Sequence, residues 1–164
     1  APSGAHRQPW TFVAVGNPEL RSRMREAAED VERHFYEELA PDEWKAALAP
    51  LGTDQQKPYF DICPWIVVLF AQAYGRDETG AKQRNYYVRE SVGIACGMFI
   101  AALHNMGLAT LPHTPSPMKF LSEVLHRPDN ERAFAVFPVG YPADECYVPA
   151  IERKPLDQVA VFIE

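Results

Sequence analysis

Apolar and polar positions along this chain recur in patterns that assign most of its elements. Residues 10–15 form an apolar stretch that reads as a β-strand. Gly16, Asn17 and Pro18 end it and open a helix, with Asn17 placed to cap the first N–H groups and Pro18 at the first helical position. From Leu20 the apolar residues Met24, Ala27, Val31 and Phe35 return every three or four positions, which is one buried face of a helix whose opposite face is charged. Residues 41–57 hold Pro41, Pro50 and Gly52 around a short amphipathic piece, Asp42–Leu48, and read as a surface excursion of the kind that acts as a lid. Residues 64–70 are a continuous β-branched and aromatic run, the mark of a central strand buried on both faces.

A polar turn follows over residues 74–82, and then a long helix over residues 85–106. Its small residues Gly93, Ala95, Gly97, Ala101 and Ala102 allow a second helix to approach closely, one use of which is a dimer contact. Gly107 caps that helix, residues 108–117 form a proline-punctuated connector, and residues 118–125 make another helix. A last strand covers residues 133–139, and residues 147–164 read as an extended tail. Strands and helices interleave as an α+β domain, with no internal repeat and no low-complexity segment.

Composition narrows the partners. The chain has 164 residues, 47% of them hydrophobic, enough for one core and a single unit. A net charge of −6 with no basic stripe argues against nucleic acid and anionic membrane as partners, leaving small molecules. The longest apolar run, residues 92–103, is too short to span a bilayer. Cys63, Cys96 and Cys146 are odd in number and lack a CxxC, which argues against a disulfide framework or zinc site and for a reducing compartment. The histidines His6, His34, His104, His113 and His126 show no HExxH or paired-carboxylate spacing, so no metal is assigned. There is no GxGxxG, GxxxxGK[ST] or GxSxG, which removes Rossmann, P-loop and elbow-serine chemistry. The chain opens on Ala1 rather than Met with no signal pattern, and reads as starting partway into a longer product.

Two constellations remain. The opening Ala1-Pro2-Ser3-Gly4-Ala5 is rich in small residues that let a flat ligand approach main-chain N–H groups, and Pro9 then sets an extended path into the first strand; on composition alone it is also simply a loop before a strand. Glu32 and Tyr36 lie four apart on one helical face, and Lys57 ends the lid segment. A carboxylate beside an ammonium complements an amino acid zwitterion: Glu32 takes the α-ammonium, Lys57 the α-carboxylate, and Tyr36 adds a hydrogen bond. The same residues also read as a solvated helix face beside an incidental lysine.

A wider set of segments carries a resemblance. Glu32-x3-Tyr36 with a gap of twenty before Lys57, Ser91-Val92-Gly93-Ile94-Ala95-Cys96-Gly97, Ala101-Ala102-Leu103-His104-Asn105, Thr114-Pro115, Pro138-Val139-Gly140-Tyr141-Pro142 and Arg153-Lys154-Pro155-Leu156 together resemble the iodotyrosine deiodinase branch of the nitroreductase superfamily, over nearly the whole chain. The resemblance implies a nitroreductase-like α+β fold, with a central, mostly antiparallel sheet flanked by helices, in an obligate homodimer whose sites draw on both subunits. It implies one FMN-binding domain over residues 1–164, with a lid at about residues 37–57. Pro2, Ser3, Gly4, Pro112, His113, Thr114 and Arg153 would contact FMN. Thr114 would set its hydroxyl on flavin N5 as the catalytic group, and Arg153 would pair with the phosphate. The Ala5 N–H would receive the substrate phenolate, and Glu32, Tyr36 and Lys57 would grip the zwitterion.

The implied reaction is reductive removal of halide from 3-iodotyrosine and 3,5-diiodotyrosine, with bromo- and chlorotyrosine as further substrates. It releases tyrosine and draws electrons from NAD(P)H or a reductase. A bacterial member would be cytoplasmic, and a membrane anchor could lie only in a segment before Ala1. A general NAD(P)H-dependent nitroreductase or quinone reductase would share the opening turn while tolerating loss of Glu32 or Lys57. A non-catalytic flavin or amino acid binding protein is the third reading. Three features depart from the family. Its Arg-Arg-Ser-x-Arg cluster would precede Ala1, Gln55 and Gln56 stand where an aromatic is usual, and Pro112 replaces a common threonine. Outside the resemblance, Thr114 is a turn residue before Pro115 and Arg153 a surface charge.

Overall fold

In the computed structural model, which describes residues 1–163, the apolar runs build one sheet and the periodic segments cover it. Strand β1 (Trp10–Val15) leads into helix α1 (Pro18–His34), whose start is fixed as its sequence requires: the Asn17 side chain accepts from the Leu20 N–H at 2.9 Å and Pro18 occupies the first turn. The helix does not stop at its charged end but widens into a π turn over Phe35–Leu39. Helix α2 (Asp42–Leu48) and helix α3 (Tyr59–Ile62) follow, the first exposed along its length except at Leu48 and the second anchored by the fully buried Phe60.

Strand β2 (Trp65–Gln72) then runs through the middle of the sheet, paired antiparallel with β1 on one side. Strands β3 (Tyr74–Arg76) and β4 (Lys82–Arg84) make a separate hairpin, helix α4 (Val88–Asn105) crosses the sheet, and strand β5 (Ala109–Thr110), helix α5 (Lys119–Val124) and strand β6 (Glu131–Gly140) complete the order. The sheet has four strands in the order β1-β2-β6-β5, every neighbouring pair antiparallel, as the expected fold class requires.

The alternation of side chains along β2 explains the layers. Ile66, Val68 and Phe70 face one side with Val15, Met24, Phe60 and Leu121, while Val67 and Leu69 face the other with Val92, Leu103 and Phe137. Helices α1, α3 and α5 therefore cover one face of the sheet and α4 the other, so β2 is buried on both sides. The outer face of α4 stays open: Ile94 and Met98 are exposed there, and a Cβ added at Gly93 or Gly97 would meet nothing within 4 Å.

Four expectations change. The polar turn over residues 74–82 is a hairpin, because Asp77 ties its own turn by accepting from the N–H groups of Thr79 and Ala81 while Gly80 takes a φ of 83°. The long helix begins at Val88 rather than residue 85, after Tyr87 in a left-handed conformation. The connector holds the short strand β5 and a bridge between His113 and Val136. Most of the expected tail has no regular structure but closes one 3-10 turn at Leu156–Gln158, and its last residue, Glu164, lies outside the described residues.

Arg21 ties α1 to α3. Its buried guanidinium donates through Nη1 to the carbonyls of Phe60 at 3.0 Å and Asp61 at 3.1 Å, and to that of Cys63. These are the carbonyls at the end of α3 that the helix cannot satisfy itself. Replacing Arg21 by Met keeps the apolar stem but strands buried acceptors, and should lower unfolding free energy by about 2–3 kcal/mol. Urea unfolding reads this directly, and a change below about 0.5 kcal/mol would show that α3 does not depend on the clasp.

Candidate functional site

Glu32 lies in the last turn of α1 and is only 8% exposed. Burial alone pushes a carboxyl group upward in pKa, yet Glu32 is held below the ordinary carboxylate value of 4.5 because the His113 ring hydrogen-bonds to it and the Lys57 ammonium both bonds and attracts it. His113 Nε2 stands 2.7 Å from one carboxylate oxygen, and Lys57 Nζ stands 2.6 Å from the other. One oxygen is thus met by a hydrogen bond and the other by an ion pair.

Lys57 is 1% exposed, which is rare for a lysine and possible only with its charge met. Its ammonium also donates to the Asp54 carbonyl, and its main-chain N–H donates to a Glu29 carboxylate oxygen at 2.7 Å. The segment that ends the excursion is therefore latched onto α1 at two successive turns of its acidic face. Arg25 reinforces this from the same helix by bonding Glu29 at 2.8 Å and Asp61 at 2.6 Å.

Tyr36 sits beside this pair rather than in it. Its hydroxyl lies 3.5 Å from the Thr53 carbonyl, and its ring packs edge-on against Trp44 of α2 at 5.5 Å, joined there by Phe35. Burial first, then the charges of Glu32 and Asp54, raise its pKa above the ordinary phenol value. Tyr59 faces the same carboxylate from α3 and is held protonated by the same causes, burial foremost. It stands edge-on to the His113 ring at 6.2 Å.

The opening turn is a second feature. Ala5, His6 and Gln8 take positive φ values of 48°, 53° and 48°, a conformation costly for residues with a Cβ and kept only where neighbours impose it. The neighbours are evident: the Gly4 N–H donates to Ser91 Oγ at 3.0 Å, and the Gln8 N–H donates to Ser3 Oγ at 2.9 Å. A Cβ at Gly4 would fall 2.7 Å from the Tyr86 carbonyl oxygen, so only glycine lets the turn lie against the start of α4. Among the described residues no acceptor meets the Ala5 N–H, which leaves an outward donor on a strained turn, the arrangement that suits an anionic or carbonyl oxygen.

The sequence-predicted site residues fall into three groups. Glu32, Lys57 and His113 are brought together, with Tyr36 alongside. Pro2, Ser3, Gly4 and Ala5 form the strained turn. Pro112 and Thr114 flank the inward His113 and are exposed, and Arg153 is exposed with no ion pair among the described residues. Tyr59 and Arg21 were not singled out by sequence. The position of Tyr59 two residues after Lys57 is the one local signal for it, and nothing in the apolar period of α1 marks Arg21 as an inward clasp.

By its match to a sequence model over most of its length, the chain belongs to the nitroreductase family. The sequence model described as "Nitroreductase family" matches residues 1–141. Within that family, the chain is 50% identical over 163 residues to iodotyrosine deiodinase of Haliscomenobacter hydrossis, covering 99% of this chain and 72% of that protein. It is 43% identical over 166 residues to iodotyrosine deiodinase 1 of Sus scrofa, of which it spans 57%. Its fold superimposes on the crystal structure of oxidised iodotyrosine deiodinase bound to FMN and 3-iodo-L-tyrosine with a TM-score of 0.81 and 27% identity, covering 99% of this chain and 82% of that one.

The pH response of the pair has a definite sign. Because the folded-state pKa of Glu32 is depressed, the carboxylate stabilises the fold above its unfolded value, near 4.5, and that contribution is lost as pH falls through the folded value below it. Glu32→Gln removes the charge and leaves the buried Lys57 uncompensated, so the variant should be less stable at pH 7 by about 3 kcal/mol and flatter in its acid limb. Urea midpoints measured from pH 7 to pH 3 test this, and parallel curves for the two proteins would rule it out.

Proposed function

We propose that this chain is the FMN-binding domain of an enzyme that reductively removes halide from 3-iodotyrosine and related halotyrosines, working as a homodimer with NAD(P)H or a reductase as electron source. The observation that carries the reading is the buried Glu32 and Lys57 pair closed by a surface excursion. It is a zwitterion-complementary couple already desolvated, where an incidental surface lysine would instead lie in water. The similarity to two iodotyrosine deiodinases and to one bound to FMN and 3-iodo-L-tyrosine supports the same substrate class.

The residues fit FMN in kind. The opening turn of Pro2, Ser3 and Gly4 offers small residues for close approach of a flat ring, the exposed Thr114 offers a hydroxyl for the ring edge, and the exposed Arg153 offers a charge for the phosphate. Reduced FMN would supply the two electrons with which the ring carbon exchanges halide for a proton. The protein's own part is binding and orientation. Glu32 would accept the substrate ammonium, and Lys57 would turn from Glu32 to the substrate carboxylate. Tyr36, pinned to Trp44, would close the excursion over the ring and exclude water, and the Ala5 N–H would stabilise the phenolate oxygen.

Support for a homodimer comes from uncovered apolar surface. Tyr147, Val148, Val161, Phe162 and Ile163 of the tail are all at least 77% exposed, and Ile94 and Met98 stand open on α4. A stretch so apolar is not left in water by a stable monomer, and a second copy offers the α4 face as its seat.

Lys57→Gln tests the reading. In titrations of the FMN-loaded protein with 3-iodotyrosine, the variant should bind at least about tenfold more weakly, the loss of a charge-assisted contact, while retaining FMN. Unchanged affinity would remove Lys57 from the substrate site. A wild-type protein that holds FMN but ignores 3-iodotyrosine would be a general reductase.

A further inference from the structure

His113 is fixed by its backbone before its side chain makes any contact. Its N–H and C=O exchange hydrogen bonds with Val136 of the central strand β6, each at 2.8 Å. The ring is 9% exposed and lies edge-on to Tyr59 and Phe60, at 6.2 Å and 6.0 Å. Nε2 meets a Glu32 oxygen at 2.7 Å, and Nδ1 is buried with no partner among the described residues. A carboxylate only accepts, so Nε2 carries the proton in that bond. The ring thus has one polar contact, and it is with the acid.

The two oxygens of Glu32 are therefore held differently. One is bonded to a ring whose backbone is bridged to the central strand β6. The other faces Lys57 at the end of an exposed excursion. If Lys57 is to move to a substrate carboxylate, Glu32 loses one of two partners, and a buried carboxylate with none would rotate toward water or take up a proton. The bond from His113 prevents both, and it aims the freed oxygen at the space Lys57 leaves.

We propose that His113 is a positioning residue that holds Glu32 in place for the ammonium group of the amino acid substrate while Lys57 is exchanged. It acts through Glu32 rather than on the reacting ring, and it rests on the function proposed above. Discrimination for the zwitterion then depends on an imidazole from a connector bridged to β6 and 81 residues away in sequence, as well as on the lysine of the lid.

The test compares two ligands on the FMN-loaded protein: 3-iodotyrosine, and 2-iodophenol, which has the ring and halogen but no zwitterion. In the wild type 3-iodotyrosine should bind more tightly. His113→Ala should cut that preference by about tenfold, and His113→Gln, which restores an N–H near the Nε2 position, should recover most of it. His113→Phe keeps the ring volume without the donor and should behave like the alanine variant, which covers the case in which alanine does not fold. A preference unchanged in Ala and Phe overturns the proposal, as does equal weakening of both ligands, which would mean that the ring acts on the cofactor or the fold. A wild type with no preference for 3-iodotyrosine instead overturns the function on which the proposal rests.

Discussion

A carboxylate taken out of water at the end of a helix constrains most of what surrounds it. Glu32 is almost fully buried, and an ionised acid there persists only with its oxygens met by donors of opposite charge or strong polarity. One donor must come from the excursion after α1, which draws residues 54–57 back against that helix and buries Lys57. The other comes from the segment after β5, which bends inward at His113 between two exposed neighbours. Without the acid, neither the Lys57 ammonium nor the His113 ring would meet a carboxylate.

The scaffold makes such a meeting possible because its sheet is covered on both sides. With β2 and β6 locked in the middle by apolar contacts above and below, the bridge of His113 to Val136 hangs a polar ring from a rigid strand. Helix α1 packs on the same face, and Arg21 fastens the end of α3 to it, so that Tyr59 and Lys57 arrive at Glu32 along one short, clamped stretch. The more adaptable side of the site is the excursion itself, where an exposed α2 is held mainly by the edge-on stacking of Trp44 with Phe35 and Tyr36.

Much of the scaffold was legible in the sequence because it follows from period and capping. Ile66 to Phe70 announce a strand buried on both faces, Asn17 and Pro18 fix the start of α1, and Gly107 closes α4. What escaped was too short for a period to register, namely the hairpin of β3 and β4, α3 and β5. The site divides in the same way. Glu32 and Tyr36 share a helical face, so their proximity is a local fact, and Lys57 joins them only through the spacing that resembles a family. The bond between Glu32 and His113 joins segments 81 residues apart. No pattern in a single sequence encodes it, because it depends on how β6 and α1 are packed. The opening turn was legible as glycine-dependent, but its left-handed Ala5 was not, since the adjoining Gly4 is held by Ser91 of α4 and by Tyr86 just before that helix, far away in sequence.

The central claim is that Glu32 keeps its bond to His113 while exchanging Lys57 for a substrate ammonium. A pair of crystal structures of the FMN-loaded protein, without ligand and with 3-iodotyrosine, examines this most directly. The expected result is an unchanged contact from His113 Nε2 to Glu32 in both, with Lys57 Nζ on Glu32 in the first and on the ligand carboxylate in the second. A ligand seated elsewhere, or a Glu32 side chain turned into water with Lys57 free in solvent, would contradict it.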